Sequence, residues 1–225
     1  MMISTQERIM LAALKLFAQK GFEATSIRDI AQEAEVNSST LYYYMSNKEE
    51  FLLAIMKNGL GFGIRLAEEI LAGVKLPEEK IAALVSMHVM IHGLNQLITI
   101  VTDTEFRALH GQNKELIRDL RRRYETIWRD VVREGVEGGV FTAIANPKLA
   151  ALALLEMCTG VAHWYSAKGE MTLEEIRDEF VNMALNLLGA KRDGRQLTVR
   201  DLNLPQSFSY EMNVASLYRE SNELV

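Results

Sequence analysis

Thr25-Ser26-Ile27-Arg28-Asp29-Ile30-Ala31, followed by Ala34-Glu35-Val36-Asn37-Ser38-Ser39-Thr40-Leu41-Tyr42-Tyr43-Tyr44-Met45, is the stretch that decides the fold. Ser26 stands three residues before Asp29, the spacing of a capping box in which hydroxyl and carboxylate each take the other residue's amide. Ile27, Ile30, Ala31 and Ala34 then share one face, so a short helix opens at Ser26. Val36 and Asn37 read as staple and cap of a second short helix beginning about Ser38, with Val36 placed to pack on Leu41. Upstream, Ser4 and Glu7 form another capping box, and Ile9, Ala13, Leu16 and Phe17 recur at helical spacing until Gly21, giving a helix over roughly 5–20. Downstream, Ser46-Asn47-Lys48-Glu49-Glu50 opens a longer fourth helix. A support helix followed by two short helices across a tight turn is the layout of a helix-turn-helix.

In that motif the second short helix enters the major groove of DNA, while flanking hydroxyls, amides and cations fix the phosphates. Asn37, Ser38, Ser39 and Thr40 supply short donors and acceptors at the helix tip. Tyr42, Tyr43 and Tyr44 fan over about 200° of the helix, so they cannot all be buried, and an exposed phenol there can reach a phosphate or a thymine methyl. Lys48, Thr25 and Ser26 are placed for phosphates, and Arg28 for the groove. The bland alternative for each residue is a helix cap or a half-buried surface. Residues 1–58 carry six cations and seven acids, a net of −1, so one head would hold few phosphates and binding should require a dimer on a palindromic site.

The series Thr25–Ala31, Ala34–Asn37, Leu41–Met45 and Lys48-Glu49-Glu50-Phe51 resembles the N-terminal domain of TetR-family transcriptional regulators over about residues 5–55. The resemblance implies an all-α protein: a three-helix helix-turn-helix DNA-binding domain over 1–47 and a helical effector-binding and dimerisation domain over 48–189. It assigns no role to the extension over 190–225, which reads either as disordered or as a strap over a partner subunit. Three positions depart from the family pattern. Glu35 occupies the turn position where most relatives have glycine, at a cost of roughly 1–2 kcal/mol if that turn needs positive φ. Tyr44 and Met45 replace the usual His-Phe, so base preference does not carry over.

Beyond the fourth helix, periodicity predicts helices over Pro77–Val101, Lys114–Glu137, Asn146–Lys168 with Gly169 as the stop, and Thr172–Leu188. The last two are rich in apolar residues, including Ala150, Leu154, Met157, Ile176, Phe180, Met183 and Leu187, and the resemblance implies that they form the bundle of a homodimer. Ligands of such regulators lie among the middle helices, which makes His88, His92 and Trp128 candidate effector contacts. The two histidines share a face without a carboxylate to complete a metal set, so they read as pocket or core residues and no metal is expected. His163 and Trp164 read equally as pocket lining or dimer packing.

Arg118, Arg122, Arg129 and Arg133 cluster within roughly 60° on one helical face, either as a solvated ridge laced with acids or as an anion site. Thr104-Glu105-Phe106-Arg107-Ala108-Leu109, then Glu134-Gly135 to Phe141, Trp164-Tyr165 and Met171-Thr172 to Ile176, resemble the C-terminal domain of regulators of fatty-acid and sterol-side-chain catabolism. That resemblance implies an acyl-CoA effector and adds Arg107 to the ligand candidates. It is incomplete, because His163 and Ser166 stand where relatives flank the Trp-Tyr pair with arginines.

With 225 residues, 48% hydrophobic, 24% charged and a formal charge of −5, the chain has a globular composition. Its longest clear apolar run, Leu149–Leu155, is far short of a membrane span. The polar opening and the single Cys158 argue against secretion and predict a cytoplasmic protein. His88, His92, His110 and His163 do not align with Glu105 or Glu156 into a nucleophile, base and orienter, so neither catalysis nor a cofactor is expected. The reading is a ligand-responsive repressor released from DNA by its effector. Alternatives are an efflux-type regulator responding to apolar cations and a DNA-binding protein without effector.

Overall fold

The computed structural model describes residues 4–204 and 209–212. Ser4 Oγ accepts the Glu7 amide and Glu7 accepts the Ser4 amide, which starts α1 (Thr5–Lys20). The same exchange between Ser26 and Asp29 starts α2 (Ile27–Glu33), and Asn37 Oδ1 caps α3 (Ser38–Tyr44) at the Thr40 amide. There follow α4 (Lys48–Ala72), α5 (Pro77–Leu94), α6 (Gln96–Thr104) with a 3-10 turn at Glu105–Ala108, α7 (Gly111–Glu137) and α8 (Pro147–Thr159). The series ends with α9 (Val161–Trp164), α10 (Leu173–Leu188), a hairpin of β1 (Lys191–Arg192) and β2 (Arg195–Gln196), and a 3-10 turn at Val199–Asp201. Among the described residues that hairpin is the only sheet, so the expected all-α class holds.

The turn between α2 and α3 is a Schellman motif. The Val36 amide donates to Ala31 O at 2.9 Å and the Glu35 amide to Gln32 O at 3.1 Å, which requires a left-handed residue at Glu35. Glu35 adopts φ +54°, the conformation that glycine usually supplies.

Two expected helices are interrupted. The stretch Pro77–Val101 is α5 and α6, broken at Asn95 with φ −122° and ψ 42°. Asn95 does not cap α6; its buried side chain instead accepts the Met212 amide at 2.7 Å, so a distant backbone donor fixes the break. The stretch Asn146–Lys168 gives α8 and the single turn α9, which ends when Tyr165 takes ψ 137°. Gly169 closes the following turn on Ser166 O and not a helix.

The chain divides into two compact units. The first takes residues 4–62, 95–121 and 212, and the second 63–94, 122–204 and 209–211. In the first, α1 packs on α2 and α6, and its core gathers Ile9, Leu14, Phe17, Ile30, Leu41 and Phe51 with Ile98 and Ile117. In the second, α5 is buried on nearly every face by α8, α9 and α10, which is why its sequence is apolar all round.

The described part of the extension over 190–204 packs on its own chain. Arg192 pairs with the buried Glu78 at 2.6 Å, Gln196 Nε2 donates to Leu185 O, the Val199 amide to Asn182 Oδ1 and the Asn203 amide to Glu79 Oε1. Leu197 is 2% exposed, so residues 190–204 complete the second unit of their own chain. Pro205 and Phe208 lie outside the described residues.

Candidate nucleic-acid interface and ligand site

At the tip of α3, one oxygen organises three neighbouring donors. Asn37 Oδ1 accepts the Thr40 amide at 2.7 Å, Thr40 Oγ1 at 2.8 Å and Ser39 Oγ at 2.7 Å. The cap and the candidate DNA contacts are therefore the same atoms: the hydroxyl protons face inward on Asn37, and their oxygen lone pairs remain available. Ser39 is exposed and Ser38 half-buried. Tyr42 is 56% and Tyr43 85% exposed, while Tyr44 packs on the core with its ring edge-on to Tyr43 at 5.2 Å. Tyr43 thus presents its phenol to solvent beside the polar helix tip.

Arg28 and Ser26 are exposed on α2. Asp29 is held at about 2 by the Ser26 amide and the Lys20 ammonium, so α2 begins with a fixed negative charge.

One expected phosphate contact, Thr25, is corrected, and Lys48 has a structural role besides the expected one. Thr25 is 1% exposed and its hydroxyl donates to Gly21 O at 2.8 Å, so it closes the loop after α1 and presents nothing to DNA. Lys48 Nζ donates to Phe22 O at 2.6 Å and lies 4.0 Å from the centre of the Phe22 ring. It fastens the start of α4 to that same loop.

The second unit gathers three ligand candidates. His88 and His92 stack at 4.0 Å, and Trp128 meets His88 edge-on at 5.6 Å. Two residues that the sequence did not single out complete the cluster: His88 Nδ1 lies 2.9 Å from Tyr124 Oη and Nε2 3.1 Å from Thr159 Oγ1. The sole sequence signal of Tyr124 and Thr159 is a hydroxyl on an otherwise apolar helix face. His92 Nδ1 is 3.0 Å from His88 O, which makes it the protonated nitrogen. Burial, with the neighbouring His92 charge second, pushes His88 well below its ordinary value, so it is a neutral imidazole.

Arg107 is exposed and belongs with Arg118 to the first unit, and Arg118 pairs with Glu115. Arg122 is exposed, while Arg129 lies 3.7 Å and Arg133 3.1 Å from Asp130, the arrangement of a solvated ridge. His163 is exposed and Trp164 is 55% exposed, its ring 6.2 Å from Phe180. With Leu149 at 64% and Met183 at 50%, they give α8, α9 and α10 an uncovered apolar face. Among the described residues no three His, Cys, Asp or Glu side chains gather for a metal, and no single helix is long and apolar enough to cross a membrane.

Residues 9–55 match the model of bacterial regulatory proteins of the tetR family, and residues 75–188 match a tetracyclin repressor-like C-terminal domain. The chain is 28% identical over 143 residues to the fatty acid metabolism regulator protein of Bacillus subtilis, covering 64% of this chain and 74% of that one. It is 24% identical over 193 residues to the HTH-type transcriptional repressor KstR2 of Mycobacterium tuberculosis, covering 85% and 95%. Its fold matches a crystal structure of AibR in complex with isovaleryl coenzyme A and operator DNA, with a TM-score of 0.72 at 23% identity, over 84% of this chain and all of that one.

Proposed function

The chain belongs to the tetR family of bacterial regulatory proteins, and from that premise we propose that it is a homodimeric transcriptional repressor that leaves a palindromic operator when a small-molecule effector binds. The observation that carries the DNA reading is the α3 surface, where Tyr42 and Tyr43 project beside the Asn37, Ser39 and Thr40 cap while Leu41 is fully buried. A buried Leu41 fixes the helix, and the residues on its outer side are left to read bases and phosphates.

In this reading residues 1–47 bind DNA and 48–189 bind effector and partner subunit, the partner covering the Leu149, Trp164 and Met183 face. The effector class is an acyl-CoA thioester, as the relatives in fatty-acid metabolism and the isovaleryl-CoA complex of AibR suggest. The His88, His92 and Trp128 cluster lines its acyl end. A DNA-bound regulator works in the cytoplasm. Effector release requires different affinity for the two conformations, and a tenfold preference corresponds to about 1.4 kcal/mol of coupling.

The test is fluorescence anisotropy on an operator selected from a random duplex library. Tyr43→Ala and Thr40→Ala should each weaken operator binding by roughly 1–3 kcal/mol with far-UV circular dichroism unchanged. Unchanged operator affinity in both variants would remove α3 from the interface.

A further inference from the structure

Trp128 is 0% exposed, and its indole Nε1–H has no acceptor among the described residues. A buried donor without a partner is destabilising, so its persistence calls for an explanation. The surroundings are not short of polar atoms. His88 Nδ1 is taken by Tyr124 Oη and His88 Nε2 by Thr159 Oγ1, while His92 Nδ1 is spent on His88 O. A neutral imidazole has one donor and one acceptor nitrogen, so a His88 held between two hydroxyls has no lone pair left for Trp128. Both His88 nitrogens are thus occupied without the indole, which sits edge-on to the His88 and Tyr124 rings with its donor unpaired.

We propose that the Trp128 Nε1–H is the hydrogen-bond donor for a carbonyl oxygen of the effector, and that the cluster of His88, His92, Tyr124 and Trp128 selects acyl groups bearing that oxygen over plain hydrocarbon chains. The inference rests on the effector reading above and adds the atom that recognises the thioester. Only an acceptor satisfies the orphan donor; a methylene in the same place leaves it unpaired, which is how a buried polar group discriminates between ligands of one shape.

The experiment uses the full-length protein with 15N-labelled indole, the Trp128 signal being assigned as the one lost in Trp128→Phe. The probes are isovaleryl-CoA, its thioether analogue lacking the carbonyl oxygen, and free coenzyme A. The expected result is a downfield shift of the Trp128 indole proton with the thioester alone, and binding of the thioester about tenfold tighter than of the thioether. Trp128→Phe should erase that preference while leaving the weaker thioether affinity in place. An equal indole shift with thioester and thioether, an intact preference in Trp128→Phe, or failure of the thioester to bind would each overturn the inference. Operator affinity measured on the same samples reports separately on the regulator reading, because it needs no effector.

Discussion

Replacing Glu35 tests the backbone account of the helix-turn-helix. Glu35 holds φ +54° at the left-handed position of the Schellman motif that ends α2. A side chain there costs roughly 1–2 kcal/mol relative to glycine, and glycine returns about 0.4–1 kcal/mol of freedom to the unfolded chain. Glu35→Gly should therefore gain about 0.5–1 kcal/mol from the backbone alone. Charge contributes separately: an acid just past the end of α2 opposes the helix dipole by about 0.3–1 kcal/mol, an effect that salt screens. Glu35→Gln removes the charge and keeps the Cβ, so the difference between the two variants isolates the strain. For a chain of this length each kcal/mol moves Tm by about 2–4 °C, so Glu35→Gly should melt about 1–4 °C above Glu35→Gln. Thermal melts at low and high salt are the assay, and the Gly-minus-Gln difference should survive salt while the Gln gain should not. Equal Tm for Gly and Gln, or a Gly variant below the parent, would refute the strain argument.

Burial keeps the folded-state pKa of His88 below its ordinary 6.5, so the unfolded chain binds more protons in acid. Its contribution is complete above about pH 6.5 and falls as pH drops toward the lowered value, by at most about 1.4 kcal/mol per unit; His88→Asn should flatten a plot of Tm against pH in that window, and parallel plots would count against it. At Gly93 a Cβ would lie 2.4 and 2.6 Å from the Leu173 methyl carbons, where α5 meets α10. Gly93→Ala should cost about 1–3 kcal/mol in urea unfolding despite alanine's better helix propensity, and Leu173→Ala in the same chain should remove most of that added cost.

The helices that are legible in the sequence are those whose ends are fixed locally. Ser4, Ser26 and Thr172 find their capping partners three residues away, so α1, α2 and α10 begin where the capping boxes place them. The α5–α6 break is not legible, because the backbone donor that Asn95 accepts belongs to Met212, 117 residues further on. The site divides in the same way. The exposure of two tyrosines follows from counting around a helix, and the His88–His92 pair from its spacing. The bond from Lys48 to Phe22 O is not legible because its acceptor lies 26 residues upstream. Thr25 reads wrongly as a phosphate contact although its acceptor, Gly21 O, is only four residues back: a threonine before an N-cap reads equally well as phosphate contact or loop closure. Tyr124 and Thr159 reach His88 from 36 and 71 residues away and escape a reading based on local periodicity.

Glu78 and Arg192 are 114 residues apart in the chain. At a synthesis rate of about 5–20 residues per second, the first turn of α5 precedes its ion-pair partner by roughly 6–23 s. During that interval Ile81, Leu84, Val85 and Val89, all fully buried in the finished fold, have neither a complete α8 nor α10 to cover them for most of the time. The nascent chain thus carries an incompletely covered apolar helix until α10 has been made. The Glu78–Arg192 pair closes only after that cover is nearly complete.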